Sequence, residues 1–320
     1  MASIALNNCL DIKTFEKQYR DTLSGFTTWR ERDHAEQWLV FPKNCGSRLS
    51  IDELAITHGE LYTIVTNKKA HGKKGALVAI VQGTKSRDVI ECLGRIPARV
   101  RSMTYEVTAD MSPSMERIVR VAFPRARLTT DRFHVQQLVS EAVQEVRMSL
   151  RRDAIRAENA ALMEAKKTHV PYAPSRYENG DTEKELLARS VHLLFKSSGN
   201  WYSQQQKRAD ILFKKYPNLK VAYDLSMYFR NIYETAISRN DAQEKFAVWR
   251  RRVGSSGLES FLLPAQTLEA REESILNYFH DRSTNASAES FNAKLKNFRA
   301  MVRGVRDKAF FLFRVATIYG

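Results

Sequence analysis

The stretch VRSMTYEVTADMSPSMERIVRVAFPRARLTTDRFHV, residues 100–135, decides how the rest of the chain is read. Its first nine residues mix β-branched and polar side chains and predict a strand that ends at Asp110. Pro113 opens an amphipathic helix with Met115, Ile118, Val119 and Ala122 on one face, and Pro124 stops it. Residues 127–130 predict a second short strand. It ends at Asp131, with His134 three residues on. Two parallel strands joined by a helix place both aspartates at the carboxyl ends of neighbouring strands. In open α/β sheets that edge is where ligands and metals bind.

Working upstream, SRLSIDELAI (47–56), LYTIVT (61–66) and ALVAIV (76–81) predict three strands with hairpin spacing. Leu49 and Ile51 share one face of the first, and Asp52 takes the other. A lysine-rich loop with Lys68, Lys69, Lys73 and Lys74 separates the second and third, and residues 84–95 predict a helix. Residues 1–46 are weakly patterned and hold no recognisable DNA-reading module. Working downstream, the pattern turns helical at about residue 133 and stays so. The last informative helix, residues 285–303, has an apolar stripe of Ala288, Phe291, Leu295, Phe298 and Val302. One residue on from each lie Glu289, Asn292, Lys296, Arg299 and Arg303, which also stack at helical spacing. By itself that strip reads first as a solvated face with acid early and base late, as the helix dipole favours.

Composition narrows the class. Fifty-one Lys and Arg against 36 Asp and Glu give a formal charge of +15, which points to a polyanionic partner. The bland alternative is a basic but ordinary enzyme. Cys9, Cys45 and Cys92 are far apart and offer neither a disulfide framework nor a zinc cluster. No run approaches the roughly 18 apolar residues of a membrane span. The expectation is a reduced, cytoplasmic protein with no membrane partner.

Three acids stand out: Asp52 on the first strand, Asp110 ending the fourth and Glu289 opening a late helix. No P-loop, G-x-G-x-x-G or G-x-S-x-G competes with them. The order of three hairpin strands followed by strand–helix–strand resembles the ribonuclease-H-like fold. That fold implies a mixed five-stranded sheet with Asp52 and Asp110 adjacent. It is interrupted here by a large all-α insertion before the last acid. The expected division is an N-terminal extension (1–46), the first part of the core (47–150), the helical insertion (151–282) and closing helices (283–320).

Three segments carry a closer resemblance: SIDELAITHGELYTIVTNK, TADMSPSMERIVRVAFPRARLTTDRFHVQQLVSEAVQEVR and STNASAESFNAKLKNFRAMVRGVRDKAFFLFRV. Together they resemble the DDE transposases of bacterial insertion sequences, of the ISL-three class and its ISAon-like subgroup, over residues 48–318. The resemblance implies that Asp52, Asp110 and Glu289 are the catalytic and metal-holding acids, with two Mg²⁺ ions and Mn²⁺ as a substitute. It implies that Asp131 and His134, the D-x-x-H element, help position the DNA end. Asn292, Lys294, Lys296, Arg299, Arg303 and Arg306 are the candidate DNA contacts. Expected partners are transposon-end and target DNA, further copies of this chain on that DNA, and a separately encoded N-terminal DNA-recognition polypeptide. The expected location is the bacterial nucleoid. Two rivals remain at this point: a ribonuclease-H-like nuclease that only hydrolyses, and a catalytically silent DNA-binding protein derived from a transposase.

Overall fold

The computed structural model describes residues 7–8, 10–57, 59–301 and 307–320. Cys9, Val302, Arg303 and Arg306 therefore lie outside the described residues. The chain divides into two compact units. The first joins residues 1–131 to 282–320, and the second is residues 132–281.

In the first unit α1 (Ile12–Gln18) leads to β1 (Trp38–Val40), β2 (Arg48–Thr57), β3 (Glu60–Asn67) and β4 (Leu77–Gln82). Then come α2 (Ser86–Leu93), α3 (Ala98–Arg101), β5 (Glu106–Ala109), α4 (Pro113–Ala122) and β6 (Arg127–Thr130). The second unit is helical: α5 (Arg132–Thr168), α6 (Glu183–Arg189), α7 (Val191–Leu194), α8 (Ser203–Lys215), α9 (Pro217–Thr235), α10 (Arg239–Ser256), α11 (Leu262–Ala270), α12 (Glu272–Leu276) and α13 (Tyr278–Asp281). The first unit closes with α14 (Ala286–Met301) and α15 (Lys308–Tyr319).

The sheet is mixed, in the order β1-β4-β3-β2-β5-β6. Strands β1 to β4 pair antiparallel, while β5 is parallel to both β2 and β6. It has six strands rather than the five expected. The extra one, Trp38–Val40, comes from the segment read as an extension, and three residues are too few to show a period of two. Trp38 is held by a stacked His34 ring at 3.6 Å and by the Arg95 guanidinium 4.0 Å from its centroid.

Each face of the sheet buries its own core. On one, Leu49, Ile51, Val65 and Val107 pack with Val89 and Leu93 of α2 and Met115, Ile118 and Val119 of α4. Ser112 caps α4 by accepting from the Met115 N–H, and Pro113 needs no partner in that first turn. On the other face, Leu54, Tyr62, Ile64 and Ile80 pack with Phe291, Leu295 and Phe298 of α14 and Phe311, Leu312 and Val315 of α15. The expected apolar stripe of the late helix is thus the one buried. Each of those large side chains contributes about 1.5–3 kcal/mol through apolar burial.

Two other expectations shift. Residues 98–101 form a helical turn, and β5 begins only at Glu106. The Arg101 side chain fixes that turn by donating to the Ile96 and Ala122 carbonyls. The expected boundary at 150/151 falls inside α5, a continuous helix with no break there; the units divide at 131/132. No described helix is long and apolar enough to cross a membrane.

Candidate active site

Strand register assembles the acids of the first unit. The β2–β5 ladder ends on Ser50 opposite Thr108, and the β5–β6 ladder ends on Ala109 opposite Thr130. Continued along the same register, Asp52 stands beside Asp110 and Asp110 beside Asp131. The Asp131 N–H extends that ladder by donating to the Ala109 carbonyl at 2.9 Å. Alternation along β2 puts Asp52 on the face of Leu54, the side covered by α14.

Each aspartate is held. Asp52 accepts from the Glu53 N–H at 2.8 Å and from the Asn292 amide at 2.7 Å. Asp110 accepts from the Ser112 N–H at 2.8 Å, which turns the chain into α4. Asp131 is 2% exposed and accepts from the Asn285 N–H, at the entry to α14. Glu289 stands exposed in the first turn of α14, where a carboxylate complements the helix dipole.

Glu53 alternates to the face of β2 opposite Asp52. Its carboxyl is nevertheless pushed above the usual carboxylate range, by burial first and then by the charges of Asp110 and Asp52. The strand β5 ends at Ala109, so at the level of Glu53 no parallel neighbour separates the two faces of β2. Periodicity alone carries no signal for that.

Beneath the acids lies a buried polar layer. Glu106 is fully buried, and its carboxylate accepts from Lys68 at 3.1 Å and from the Ser283 hydroxyl, with Arg127 3.7 Å away. The Lys68 ammonium also donates to the Thr108 and Ser283 hydroxyls. Burial pushes the Lys68 ammonium down, and Glu106 opposes the shift. Lys68 therefore turns inward from the lysine-rich loop. Ser283 and Asn285 precede α14, so this layer fixes where that helix starts.

The candidate DNA contacts separate into groups. Lys296 is exposed and Arg299 half-buried. Lys294 donates to the Gly72 carbonyl at 2.9 Å, joining the helix to the lysine-rich loop. Asn292, grouped by spacing with the cations, is buried against Asp52. His134 opens α5 in the second unit, half-buried, with its ring edge-on to Phe133.

The donor set suits a hard divalent cation, since carboxylate oxygens are what such ions prefer. Asp52 and Asp110 fit as two such ligands. Among the described residues, however, no three Asp, Glu, His or Cys side chains converge as a metal-holding group. The arrangement is a carboxylate pair with a third acid one helical turn from the residue that touches it. Among the described residues thiol chemistry has no support: burial pushes Cys92 up to about 12 and also raises Cys45.

A mixed sheet with carboxylates gathered on adjacent strands and helices on both faces is the ribonuclease-H-like class of polynucleotide enzymes. A family model described as transposase, that of the ISL-three class of DDE enzymes, matches residues 49–315, and the chain belongs to that family. A comparison with curated proteins finds no match. Membership makes this a transposase of insertion-sequence type, with DNA as its partner and divalent metal ions as the family's usual requirement.

Proposed function

We propose that this chain is the catalytic subunit that cuts DNA at insertion-sequence ends and joins those ends to target DNA. The observation that supports the reading is the β2–β5 ladder, which ends on Ser50 opposite Thr108 and, continued two residues, brings Asp52 beside Asp110 in a chain of this family. Asp52, Asp110 and Glu289 would hold two Mg²⁺ ions, or Mn²⁺ in their place. When bound, the ions supply Lewis-acid stabilisation of charge on the attacking and leaving oxygens.

The residues do the rest by holding and orienting. In the first displacement water attacks phosphorus, the bond to the 3′ oxygen breaks, and a free 3′-OH results. In the second that 3′-OH attacks a target phosphodiester, the new bond to phosphorus forms as the bond to the target's own 3′ oxygen breaks, and a target 3′-OH is released. Neither step needs a protein nucleophile, in keeping with the raised thiols. Lys296 and Arg299 would grip DNA through its phosphates, which sets position rather than sequence. Asp131, buried beside the pair, acts through the Asn285 backbone, and His134 is assigned to contact with the DNA end. Action as a multimer on paired ends, with a separately encoded polypeptide reading the end sequence, belongs to the same proposal.

The test is cleavage and joining of supercoiled and end-containing linear DNA with Mg²⁺ or Mn²⁺, with and without the polypeptide encoded upstream. Asp110→Asn and Glu289→Gln should each lower activity by at least about 10³-fold. Loss of a ligand should exceed the roughly 10–100-fold cost of losing a partner behind one. Cleavage without any joining would favour the nuclease reading. DNA binding with no cleavage by the wild-type chain would favour the silent one.

A further inference from the structure

Asn292 does more than tie a helix to a sheet. It lies on α14 three residues after Glu289, so the two share a face about 4.5 Å apart along the axis. It is 7% exposed, and its neighbours on that helix, Phe291 and Leu295, are core residues. Its amide donates to one Asp52 oxygen at 2.7 Å while the Glu53 N–H donates to the other at 2.8 Å. A carboxylate only accepts, so the amide nitrogen must be the atom turned to it. The Asn292 Oδ1 is then buried with no donor. An unsatisfied buried acceptor costs about 1–3 kcal/mol. A leucine there would avoid that cost and favour the helix more.

What leucine could not do is hold the Asp52 carboxylate without neutralising it. Lysine or arginine would bring a competing charge, and an acid would repel. A neutral amide fixes the rotation of the carboxylate and adds no charge of its own. It also sets the height of α14 against β2, and with it the height of Glu289. We propose that Asn292 is a positioning residue that presents Asp52 to a divalent cation and sets Glu289 at the same site. This rests on the proposed role of the acids.

The experiment is Mn²⁺ binding to the full chain, by electron paramagnetic resonance and calorimetry, with thermal stability measured alongside. Asn292→Leu, which keeps the branched shape without the amide, should stay folded and bind Mn²⁺ about 10–100-fold more weakly, the usual cost of removing a partner of a metal-holding carboxylate. Asn292→Ser, which puts a shorter hydroxyl in place of the amide, should show the same loss if the leucine variant does not fold. Unchanged Mn²⁺ affinity in a folded Asn292 variant, with binding lost in Asp52→Asn, overturns the inference and leaves the acid site standing. So does a loss confined to DNA affinity, which would make Asn292 a DNA contact. Mn²⁺ binding that survives Asp52→Asn would overturn the acid reading itself.

Discussion

Both units bury an acid, and they do it differently. In the second unit Asp181 is held by Arg208 at 2.8 Å and by Arg189, residues 27 and 8 positions away in sequence. Burial alone would raise that carboxyl, but the two guanidiniums hold it below the usual range. In the first unit Glu106 is tied to Lys68, 38 positions away, and to Ser283, 177 positions away. Asp52 reaches Asn292 across 240. The second unit pairs its charges both within single helices, as Lys220 with Asp224 and Lys245 with Asp241, and between helices, as Arg132 with Glu234 and Arg239 with Glu273. The first spends its buried polar groups on joining the two ends of its chain. A polar tie tolerates little sliding, so the register between α14 and the sheet is fixed more narrowly than apolar packing would fix it.

The charges divide in the same way. The first unit carries 28 Lys and Arg against 17 Asp and Glu, and the second 23 against 19. Most of the positive excess therefore sits on the unit that holds the acids.

The sharpest test of this contrast is Lys68→Met. It strands a fully buried carboxylate with Arg127 as its remaining cation, and should cost about 3–5 kcal/mol in urea unfolding. Adding Glu106→Leu should recover part of that loss. Lys220→Ala in the second unit should cost less than about 1 kcal/mol, because its pair is exposed. Equal losses would erase the distinction between the units. DNA binding gives a smaller effect. Arg299→Ala should reduce the slope of log affinity against log salt by about 1, and exposed Arg152→Ala in the second unit should leave it nearly unchanged. A matching drop at Arg152 would place phosphate contacts on both units.

The smallest effect concerns Glu53. Its folded carboxyl sits above its ordinary value of 4.5, so the folded state holds the proton more tightly than the unfolded one. Its contribution to stability is therefore greatest in acid and is lost as pH rises through that raised value. In chelator, Glu53→Gln should raise Tm by roughly 1–2 °C at pH 7 and by nothing at pH 4. A gain independent of pH would mean that its source is not the ionised carboxyl, which burial and then the charges of Asp110 and Asp52 disfavour.

Much of this was legible in the sequence. Asp110 and Asp131 follow short strands on either side of a proline-opened helix, and that pattern is local. The stripe of Ala288, Phe291, Leu295 and Phe298 is periodic, and the structure buries it. Asn292 and Lys68 were not legible, since spacing says which residues share a face and not which distant group they meet. Asn292 was grouped with cations because it lies in their strip, yet the edge of that strip nearest the core is buried. Lys68 sits in a run of lysines, and only the fold shows that it turns inward while Lys69, Lys73 and Lys74 stay exposed. The strand at Trp38 escaped for a simpler reason, being shorter than the pattern needed to detect it.

The discontinuity of the first unit has a consequence during synthesis. Asp52 and Asp110 leave the ribosome early, but Glu289 and Asn292 follow only after residues 132–281 have been made. At about 5–20 residues per second that interval lasts roughly 10–30 s. Throughout it Leu54, Ile64 and Ile80 lack the α14 and α15 side chains that cover them in the finished unit. The nascent sheet thus stays apolar and uncovered on one side until α14 and α15 have been made. A chain released before residue 282 would carry Asp52 and Asp110 without the helix that holds Asn292 against Asp52.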